Sequence, residues 1–248
     1  MAIIVNADDF GLSHEVNMAI CDAFSKGFIQ RTTLMTNMPF AREAMELAKE
    51  NGFADRVGVH LNLTSGRPLR EEMAKDRLMC NDDGEFTAEF AKHLKTRFFL
   101  PKETCKDVES EIRAQLDEYK NLGGTLWHID SHHHVHTDPS VWKVAVKVFR
   151  NYPVSGVRLG RNMYRGGNPL LRIYKKIYNS SVLRFCKTKC DYFGSSEDYA
   201  DYIGGDSGFA LQFPTENNIE IMVHPVYDQE GNLRDAAHGT LIELKKFV

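Results

Sequence analysis

The sequence predicts an α/β protein built around a mainly parallel β-sheet. Short apolar runs rich in β-branched residues alternate with longer segments of helical periodicity, an alternation typical of parallel sheets covered by helices. The length of 248 residues lies within the range that α/β barrels occupy as one unit. We therefore expect one domain over residues 1–248, with a sheet that is either open or closed into a barrel.

The first strands and helices of the chain follow this alternation closely. The run IIVNADD at 3–9 predicts a strand that ends at two carboxylates, and Ser13 is a candidate N-cap for a helix that stops at Gly27. The strand TTLMTN at 32–37 and the helix FAREAMELAKENG at 40–52 repeat the pair. A third strand follows as RVGVHLNLT at 56–64.

The middle of the chain first breaks the alternation and then restores it. Residues from about 66 to 102 mix Pro, Asp-Asp-Gly and both charges, which predicts an excursion with short helices of the kind that shapes substrate grooves. A helix closed by two glycines then carries the apolar stripe Val108, Ile112, Leu116 and Tyr119. TLWHIDSHHH at 125–134 predicts a fourth strand, with a helix from about Pro139 after it.

Later elements are less clearly marked. SGVRLG at 155–160 predicts a weak fifth strand, DYFG at 191–194 a sixth, and IEIMVHP at 219–225 a late strand. The region 161–205 mixes aromatic residues with Arg and Lys, so that it suits an interface, a glycan platform or an amphipathic surface helix equally.

Composition narrows the class of protein. A hydrophobic content of 42% predicts a folded core, and a net charge of -3 gives no basic footprint for nucleic acid. The N-terminus lacks the basic region of a signal peptide, and no run approaches the roughly 20 apolar residues of a membrane helix. Five scattered cysteines argue against a disulfide framework. We expect a cytoplasmic protein with no nucleic-acid or membrane partner.

Polar residues fall repeatedly at the ends of the predicted strands. In a parallel α/β fold those ends lie on one face, where groups from different strands converge on one site. The residues in question are Asp8, Asp9, Asn37, His60, the cluster 128–136, Arg158 and His224. Taken singly, several have structural explanations, since acids after a strand can cap the next helix and a lone histidine is commonly a buried, hydrogen-bonded one.

The segment HIDSHHHVH at 128–136 holds five of the ten histidines of the chain. Strand alternation projects His128, Asp130 and His132 from one face, and burying such a row is costly unless a metal ion or a dense hydrogen-bond network surrounds it. With an acid from another strand, these histidines fit a divalent metal site of one Asp and two His. Zinc, manganese and magnesium all stay open.

Four segments together resemble the YdjC-type carbohydrate deacetylases, a family that includes chito-oligosaccharide deacetylase. The segments are NADDFG at 6–11, VGVHLNLTSGRPL at 57–69, HIDSHHHVH at 128–136 and MVHP at 222–225. The resemblance implies a distorted (β/α) TIM-like barrel, a homodimer and one divalent metal ion, magnesium in that family. It also implies an enzyme, a hydrolase of linear amide C–N bonds that removes N-acetyl groups from amino sugars or oligosaccharides.

The resemblance also implies roles for individual residues. Asp9, His60 and His132 would hold the metal, Asp8 would be the general base, and His224 the general acid. His128 and Asp130 would orient the ligands from behind. Candidate substrate contacts are Asn62, His134, His136 and Arg158.

Two other functions fit some of the same residues. Two His and one carboxylate also form the facial triad of non-haem iron oxygenases, although those enzymes usually have a double-sheet jelly roll. A metal-containing sugar-binding protein without turnover is the second alternative.

Overall fold

The computed structural model describes residues 2–163, 169–186, 190–204, 218–237 and 240–244. Ten strands lie in this part of the chain. They are β1 (Ile3–Phe10), β2 (Arg31–Leu34), β3 (Val57–Leu61), β4 (His128–Ser131), β5 (Gly156–Val157), β6 (Tyr192–Ser195), β7 (Ile219–Val223), β8 (Pro225–Tyr227), β9 (Leu233–Ala237) and β10 (Thr240–Glu243).

Helices occupy most of the connections between these strands. They are α1 (His14–Ser25), α2 (Ala41–Glu50), α3 (Glu71–Ala74), α4 (Glu89–Lys92), α5 (Leu94–Phe98), α6 (Lys102–Asn121), α7 (Pro139–Phe149), α8 (Pro169–Phe185) and α9 (Ser196–Gly204). Short 3₁₀ helices lie at Ala54–Arg56 and His132–Thr137. Parts of the 161–205 region, residues 164–168, 187–189 and 205, lie outside the described residues.

Seven strands form the main sheet in the order β5-β4-β3-β2-β1-β7-β6, and every pairing within it is parallel. The prediction of an α/β fold with mainly parallel strands is therefore confirmed. The predicted fifth strand is real but short, since only Gly156 and Val157 pair with β4.

The sheet is strongly curled, as a distorted barrel requires. Arg158 follows β5, four strands away from β1, and in a flat sheet four strand spacings would separate them by about 19 Å. Its guanidinium nevertheless bonds to Asp8 on β1, at 2.6 Å from Oδ2, and to Glu220 on β7. Only a sheet rolled around its own interior brings these side chains together.

The two edges of the curled sheet meet just beyond β5. The Asn162 backbone N–H donates to the Phe193 carbonyl of β6 at 3.0 Å, and the Phe193 N–H donates to the Asn162 side chain at 2.8 Å. The Phe193 ring lies under the Arg158 guanidinium, 4.7 Å from its centre. These contacts close the gap that pairing of β5 with β6 would close in a regular barrel.

Local signals in the sequence account for several element boundaries. The Ser13 side chain accepts a hydrogen bond from the Val16 N–H, as an N-cap does, and α1 ends at Ser25, two residues before Gly27. The predicted apolar stripe of α6 is buried. After that helix, Gly123 adopts a left-handed backbone with φ of +91°, and Gly124 must be glycine because a Cβ at this position would lie 2.2 Å from the Tyr119 ring.

The predicted excursion is held to the barrel by one buried acid. Glu111 of α6 is fully buried, and its two carboxylate oxygens accept the backbone N–H groups of Leu69 and Arg70 at 3.0 and 2.9 Å. Gln115, one turn later, bonds to both backbone groups of Asn62. Glu111 and Gln115 thus form hydrogen bonds with backbone groups of the segment after β3, which has no neighbouring strand among the described residues to bond with them.

The three antiparallel strands β8, β9 and β10 were not predicted. They form a separate small sheet in the order β10-β9-β8 directly after β7. The sequence here, PVYDQEGNLRDAA, carries few β-branched residues, and its turn at Gly231 was the main available signal. In the described part of the chain, no helix is both long and apolar enough to span a bilayer.

Replacing Glu111 by Ala should loosen the excursion. The change leaves two backbone N–H groups without their acceptor, and we expect a loss of about 2–3 kcal/mol in the free energy of unfolding. Denaturant titration measures the loss, and hydrogen exchange should rise first at the amides of Leu69 and Arg70. Glu103→Ala on the same helix is the control, because that exposed side chain should change stability by less than about 1 kcal/mol. Equal effects of the two substitutions would contradict the anchoring role.

Candidate active site

A cleft of about 470 Å³ opens at the carboxyl ends of the parallel strands. It is the place where a parallel α/β fold gathers functional groups. The lining residues are Asp8, Asp9, His60, His132, His133, His134, Arg161, Ser195, Met222, His224, Asp235 and Ala236. The cleft thus gathers six of the predicted site residues from four strand ends.

Asp8 and Asp9 reach the same cleft because β1 is irregular at its end. Consecutive strand residues normally point to opposite faces. The pairing of β1 with β2 shifts register between Ala7 and Phe10, and Asp9 has a left-handed backbone with φ of +68°. Such a conformation costs a non-glycine residue of order 1–3 kcal/mol and is typical of functional sites. The bulge turns both carboxylates inward.

Asp9, His60 and His132 converge on one point of the cleft. Asp9 Oδ1 lies 3.1 Å from His60 Nε2 and 2.8 Å from His132 Nδ1, and one ligand atom from each residue lies within 4.8 Å of the others. His60 Nε2 is buried and has no hydrogen-bond partner of acceptable geometry. A buried nitrogen close to a carboxylate and a second imidazole is a donor arrangement that could hold a divalent cation.

Asp130 holds His60 from behind. Its Oδ1 lies 2.7 Å from His60 Nδ1, and its Oδ2 accepts the Thr33 hydroxyl at 3.0 Å. Burial alone would lower the pKa of His60, but the Asp130 charge outweighs it and raises that pKa to about 10. The site therefore attracts positive charge at His60.

Arg158 joins three carboxylates in the interior of the barrel. Its guanidinium bonds to Asp8 at 2.6 and 2.7 Å, to Asp130 at 2.7 Å and to Glu220 at 2.7 Å, and the side chain is fully buried. Burial opposes ionisation of Asp8, but Arg158 outweighs it and holds the pKa of Asp8 well below its usual range. Asp8 is consequently a carboxylate at every physiological pH.

A second, mostly buried arginine, Arg31, contacts the same network at its opposite end. Arg31 lies 2.9 Å from Glu220 Oε2, and His128 Nε2 lies 3.6 Å from the same oxygen. Burial would raise the pKa of Glu220, yet Arg31 and Arg158 together hold it well below the usual range. Glu220 is therefore an ionised side chain in the middle of an apolar strand.

Three groups of acids and histidines could hold a cation by distance alone. Two of them, Asp8–His60–Asp130 and His128–Asp130–Glu220, use carboxylates that Arg158 already neutralises. Among the described residues, Asp9 has no guanidinium partner and contacts only His60 and His132. Charge thus selects the third group, Asp9–His60–His132.

His224 faces this group from the end of β7. Its backbone N–H donates to Asp235 Oδ1 at 2.7 Å, and its ring Nδ1 lies 4.0 Å from the same oxygen. Asp235 is buried and also accepts the Ser196 hydroxyl at 2.5 Å. The His224 side chain keeps 31% of its surface exposed, so that its ring can meet a bound molecule.

The histidines after His132 leave the strand in an unusual conformation. His133 and His134 both have left-handed backbones, with φ of +52° and +56°. His134 lines the cleft, and burial followed by the nearby Arg158 charge lowers its pKa to about 3, so the ring is neutral. His136 turns away, with Nδ1 2.6 Å from the Ser131 hydroxyl.

Three of the expected substrate contacts need correction. Asn62, His136 and Arg158 are fully buried and do not line the cleft. Asn62 instead accepts backbone N–H groups of its own loop, and Arg158 is saturated by carboxylates. Of the four expected contacts, only His134 faces the cleft.

His128 also departs from its expected position. It contacts Glu220 at the far end of the interior, while Asp130 contacts a member of the Asp9–His60–His132 group. The reason is that two residues along a strand advance by about 6.6–6.8 Å. His128 and Asp130 share a face but lie at different depths, so only Asp130 can hold His60.

Several cleft residues were not anticipated. Arg161 reaches the cleft, and Asp198 of α9 holds its guanidinium at 2.8 and 2.7 Å. Ser195 and Asp235 come from β6 and β9, whose weak strand signals hid their proximity to the site. Glu220 did leave a signal, since it is a charged residue in the apolar first part of the strand predicted at 219–225, whereas Arg31 lies just before the strand predicted at 32–37.

A second cleft, of about 610 Å³, is larger but carries different chemistry. It lies against α8, and its lining includes Arg172, Lys175 and Lys176. It contains none of the acids and histidines described above. Chemistry rather than size therefore identifies the smaller cleft as the candidate active site.

Comparisons with known proteins show what this chain is similar to. A family model described as YdjC-like protein matches residues 2–245. A carbohydrate deacetylase from Halalkalibacterium halodurans is 33% identical over 253 residues, covering all of this chain and 94% of that protein. A carbohydrate deacetylase from Clostridium beijerinckii is 33% identical over 186 residues, which cover 74% of this chain and 71% of that protein.

A solved structure supports the fold. It is a protein from Enterococcus faecalis V583 that carries a provisional description as a cellobiose-phosphate cleavage protein. The TM-score is 0.66 at 25% identity, and the match covers 92% of this chain and 82% of that one. The curled parallel sheet is thus shared with an experimentally determined structure.

Replacing Glu220 by Gln should destabilise the protein in a pH-dependent way. The substitution breaks buried ion pairs with Arg31 and Arg158, and we expect a loss of about 3–5 kcal/mol at pH 7. Because the pKa of Glu220 is depressed in the folded state, its contribution is present above the unfolded value near 4.5 and is lost as the pH falls. The difference between parent and variant should therefore shrink below about pH 4.

Denaturant titrations at pH 7, 5 and 3.5 measure this difference. Glu50→Gln, a change of an exposed glutamate, is the matched control and should have little effect at any of the three values. A Glu220→Gln loss that stays constant with pH would show that packing, not charge, is responsible.

Proposed function

Because this chain belongs to the YdjC-like protein family, we propose that it is a metal-dependent deacetylase that hydrolyses the N-acetyl groups of amino sugars or their oligosaccharides. The convergence of Asp9, His60 and His132 beside Asp8 and His224 in one cleft is the observation that carries the proposal. Relatives named carbohydrate deacetylase support the substrate class.

Asp9, His60 and His132 would hold the metal ion. The group offers a carboxylate that pairs with histidines and with no guanidinium among the described residues, together with the buried Nε2 of His60, whose ring Asp130 fixes. When bound, a divalent cation would polarise the acetyl carbonyl and acidify a water molecule. Two imidazoles and a carboxylate suit zinc or manganese, while the family resemblance favours magnesium.

Asp8 would act as the general base. It lines the cleft next to Asp9, and Arg158 fixes both its oxygens and keeps it ionised. A carboxylate held so firmly cannot rotate away, and it can accept a proton from a water molecule placed between it and the substrate.

His224 would act as the general acid for the departing amine. It lies at the end of a different strand from Asp9 and His60, and its partial exposure allows it to exchange protons with solvent between turnovers. Asp235 fixes its backbone and stands 4.0 Å from its ring. A positioned general acid or general base typically increases the rate of such a reaction by about 10²–10⁴-fold.

The remaining cleft residues suit recognition of the sugar. His134 presents a neutral imidazole, and Arg161 presents a guanidinium that Asp198 has already oriented. Neutral and charged hydrogen-bond donors of this kind match hydroxyl and carbonyl oxygens. Both residues are therefore part of the proposed substrate site.

The observed architecture favours hydrolysis over an oxygenase reaction. The seven parallel strands differ from the antiparallel double sheet that commonly carries an iron facial triad. A sugar-binding protein without turnover would have no need for both Asp8 and His224 beside the metal group. The proposal also includes a cytoplasmic location and the homodimer that the resemblance implies.

Release of acetate tests the reaction. The parent protein, loaded with a divalent metal ion, should release acetate from N,N′-diacetylchitobiose or a related N-acetylated sugar without oxygen. Asp8→Asn and His224→Ala should each lower kcat by about 10²–10⁴-fold while retaining metal. Oxygen-dependent turnover, or tight sugar binding with no acetate across a panel of N-acetylated sugars, would contradict the proposal.

Metal content tests the ligand set separately. His132→Ala should reduce bound metal, measured by elemental analysis after dialysis, to a small fraction of the parent value because it removes one of three ligands. His133→Ala is the matched control, since His133 lines the same cleft but is not a member of the Asp9–His60–His132 group. If His133→Ala loses metal and His132→Ala retains it, the ligand assignment is wrong.

A further inference from the structure

Exposed apolar side chains are concentrated on two neighbouring helices, α5 and α8. Of the thirteen large hydrophobic side chains that are exposed in the described part of the chain, eight lie on these helices or directly after α5. Individual exposed fractions reach 71% for Leu94, 74% for Phe99 and 64% for Ile177. Scattered exposed leucines are ordinary, but a cluster of this kind marks an interaction surface.

The two helices lie in contact with each other. The Phe98 ring lies 5.9 Å from the Tyr174 ring, which joins α5 to α8. Leu170, Ile173 and Ile177 are spaced three and four residues apart, so they form one stripe along α8. The α5–α8 surface is defined here by Leu94, Phe98, Phe99, Leu170, Ile173 and Ile177.

The same two segments hold a large excess of positive charge. Residues 90–102 and 159–190 contain 12 of the 31 Lys and Arg of the chain and none of its 34 Asp and Glu. The rest of the molecule is correspondingly acidic, and the small net charge of -3 conceals this separation. A protein that only needed solubility would intersperse the two signs.

Most of the basic side chains in the described parts of these segments form no ion pair with an acid of the protein. In the segments that the structure describes, five of them form no ion pair with an acid: Lys95, Lys102, Arg172, Lys176 and Arg184. By contrast, Arg97 pairs with the buried Asp138, and Arg161 pairs with Asp198. The unpaired side chains are available to an anionic partner.

We propose that the α5–α8 surface docks on an anionic lipid membrane. Aliphatic and aromatic side chains flanked by Lys and Arg are the composition of helices that lie in the membrane interface, where the apolar groups enter the acyl boundary and the basic groups contact headgroup phosphates. The sequence predicted no membrane partner because no run of residues is long and apolar enough to cross a bilayer. Docking on the surface of a bilayer does not require such a run.

Charge distinguishes a membrane from the other occupants. A symmetric dimer built on this face would bring two basic surfaces into contact, which is unfavourable. Nucleic acid matches the charge but offers nothing to the exposed leucine and isoleucine side chains, since its bases stack on aromatic rings and guanidinium groups. An anionic lipid surface satisfies both the charged and the apolar groups.

Docking would also involve the rim of the candidate active site. Asn179 of α8 accepts the Gly160 N–H at 2.7 Å and donates to the Gly160 carbonyl at 3.1 Å. Gly160 directly precedes Arg161, which reaches the cleft. The proposed docking helix is therefore tied to the segment that lines the cleft, although docking itself does not depend on the proposed reaction.

Vesicle co-sedimentation tests the proposal with the full chain. We expect the parent protein to bind vesicles containing 30% phosphatidylglycerol at 0.1 M salt, to bind pure phosphatidylcholine at least tenfold more weakly, and to be released at 0.5 M salt. The double variant Arg172→Gln/Lys176→Gln should bind anionic vesicles about thirtyfold more weakly, since each basic side chain near the surface contributes about 1 kcal/mol.

Further variants separate the apolar contribution and the alternatives. Ile173→Gln/Ile177→Gln should also weaken binding, whereas Lys75→Gln/Lys120→Gln, an equal charge loss at exposed positions elsewhere, should not. Circular dichroism and acetate release confirm that each variant is folded. The proposal is overturned if the parent ignores anionic vesicles, if the control weakens binding equally, or if Ile173→Gln/Ile177→Gln converts a dimer to a monomer in light scattering.

Discussion

The buried guanidinium of Arg158 is the interaction on which the rest of this structure depends. It satisfies Asp8, Asp130 and Glu220 from three different strands, and it can do so only because the sheet curls around it. Each of these carboxylates would be strongly disfavoured alone in the interior, and so would the guanidinium. The fold and the charge network are therefore mutually dependent: the curl creates the interior, and the ion pairs permit charged side chains to fill it.

The charge balance of that interior explains why the cleft suits a cation. Asp8, Asp9, Asp130 and Glu220 are four carboxylates, and Arg31 and Arg158 are the two guanidinium groups that meet them. The excess negative charge lies at Asp9, whose carboxylate pairs with His60 and His132. The raised pKa of His60 has the same origin, since burial is outweighed there by the neighbouring carboxylates. The barrel thus places Asp8, a carboxylate fixed by Arg158, next to Asp9, a carboxylate that is paired with two histidines.

The sequence predicted the position of a site residue correctly where that position follows from local periodicity. Strand alternation correctly placed His128 and Asp130 on one face, and chain order placed His60 and His224 at strand ends. Alternation could not foresee the bulge that turns Asp8 and Asp9 to the same side, or the left-handed backbones of His133 and His134. Those conformations are held by surrounding packing, so no pattern of residue types in the segment itself announces them.

The sequence by itself determined the class of fold, the helix caps and stripes, and the candidate set of acids and histidines for the site, because these depend on periodicity and on side-chain chemistry. Only the tertiary structure decided which of those residues act together. Arg158, Asn62 and His136 were expected to contact the substrate, but they are buried and support the structure. Ser195 and Asp235 enter the cleft from strands with little local signal, and Arg161 enters it from the segment after β5. The concentration of positive charge on the α5–α8 surface depends on both the sequence and the fold. Its acid-free segments are visible in the sequence, but only folding shows that they are neighbours, since burial and contact between distant segments are properties of the whole chain.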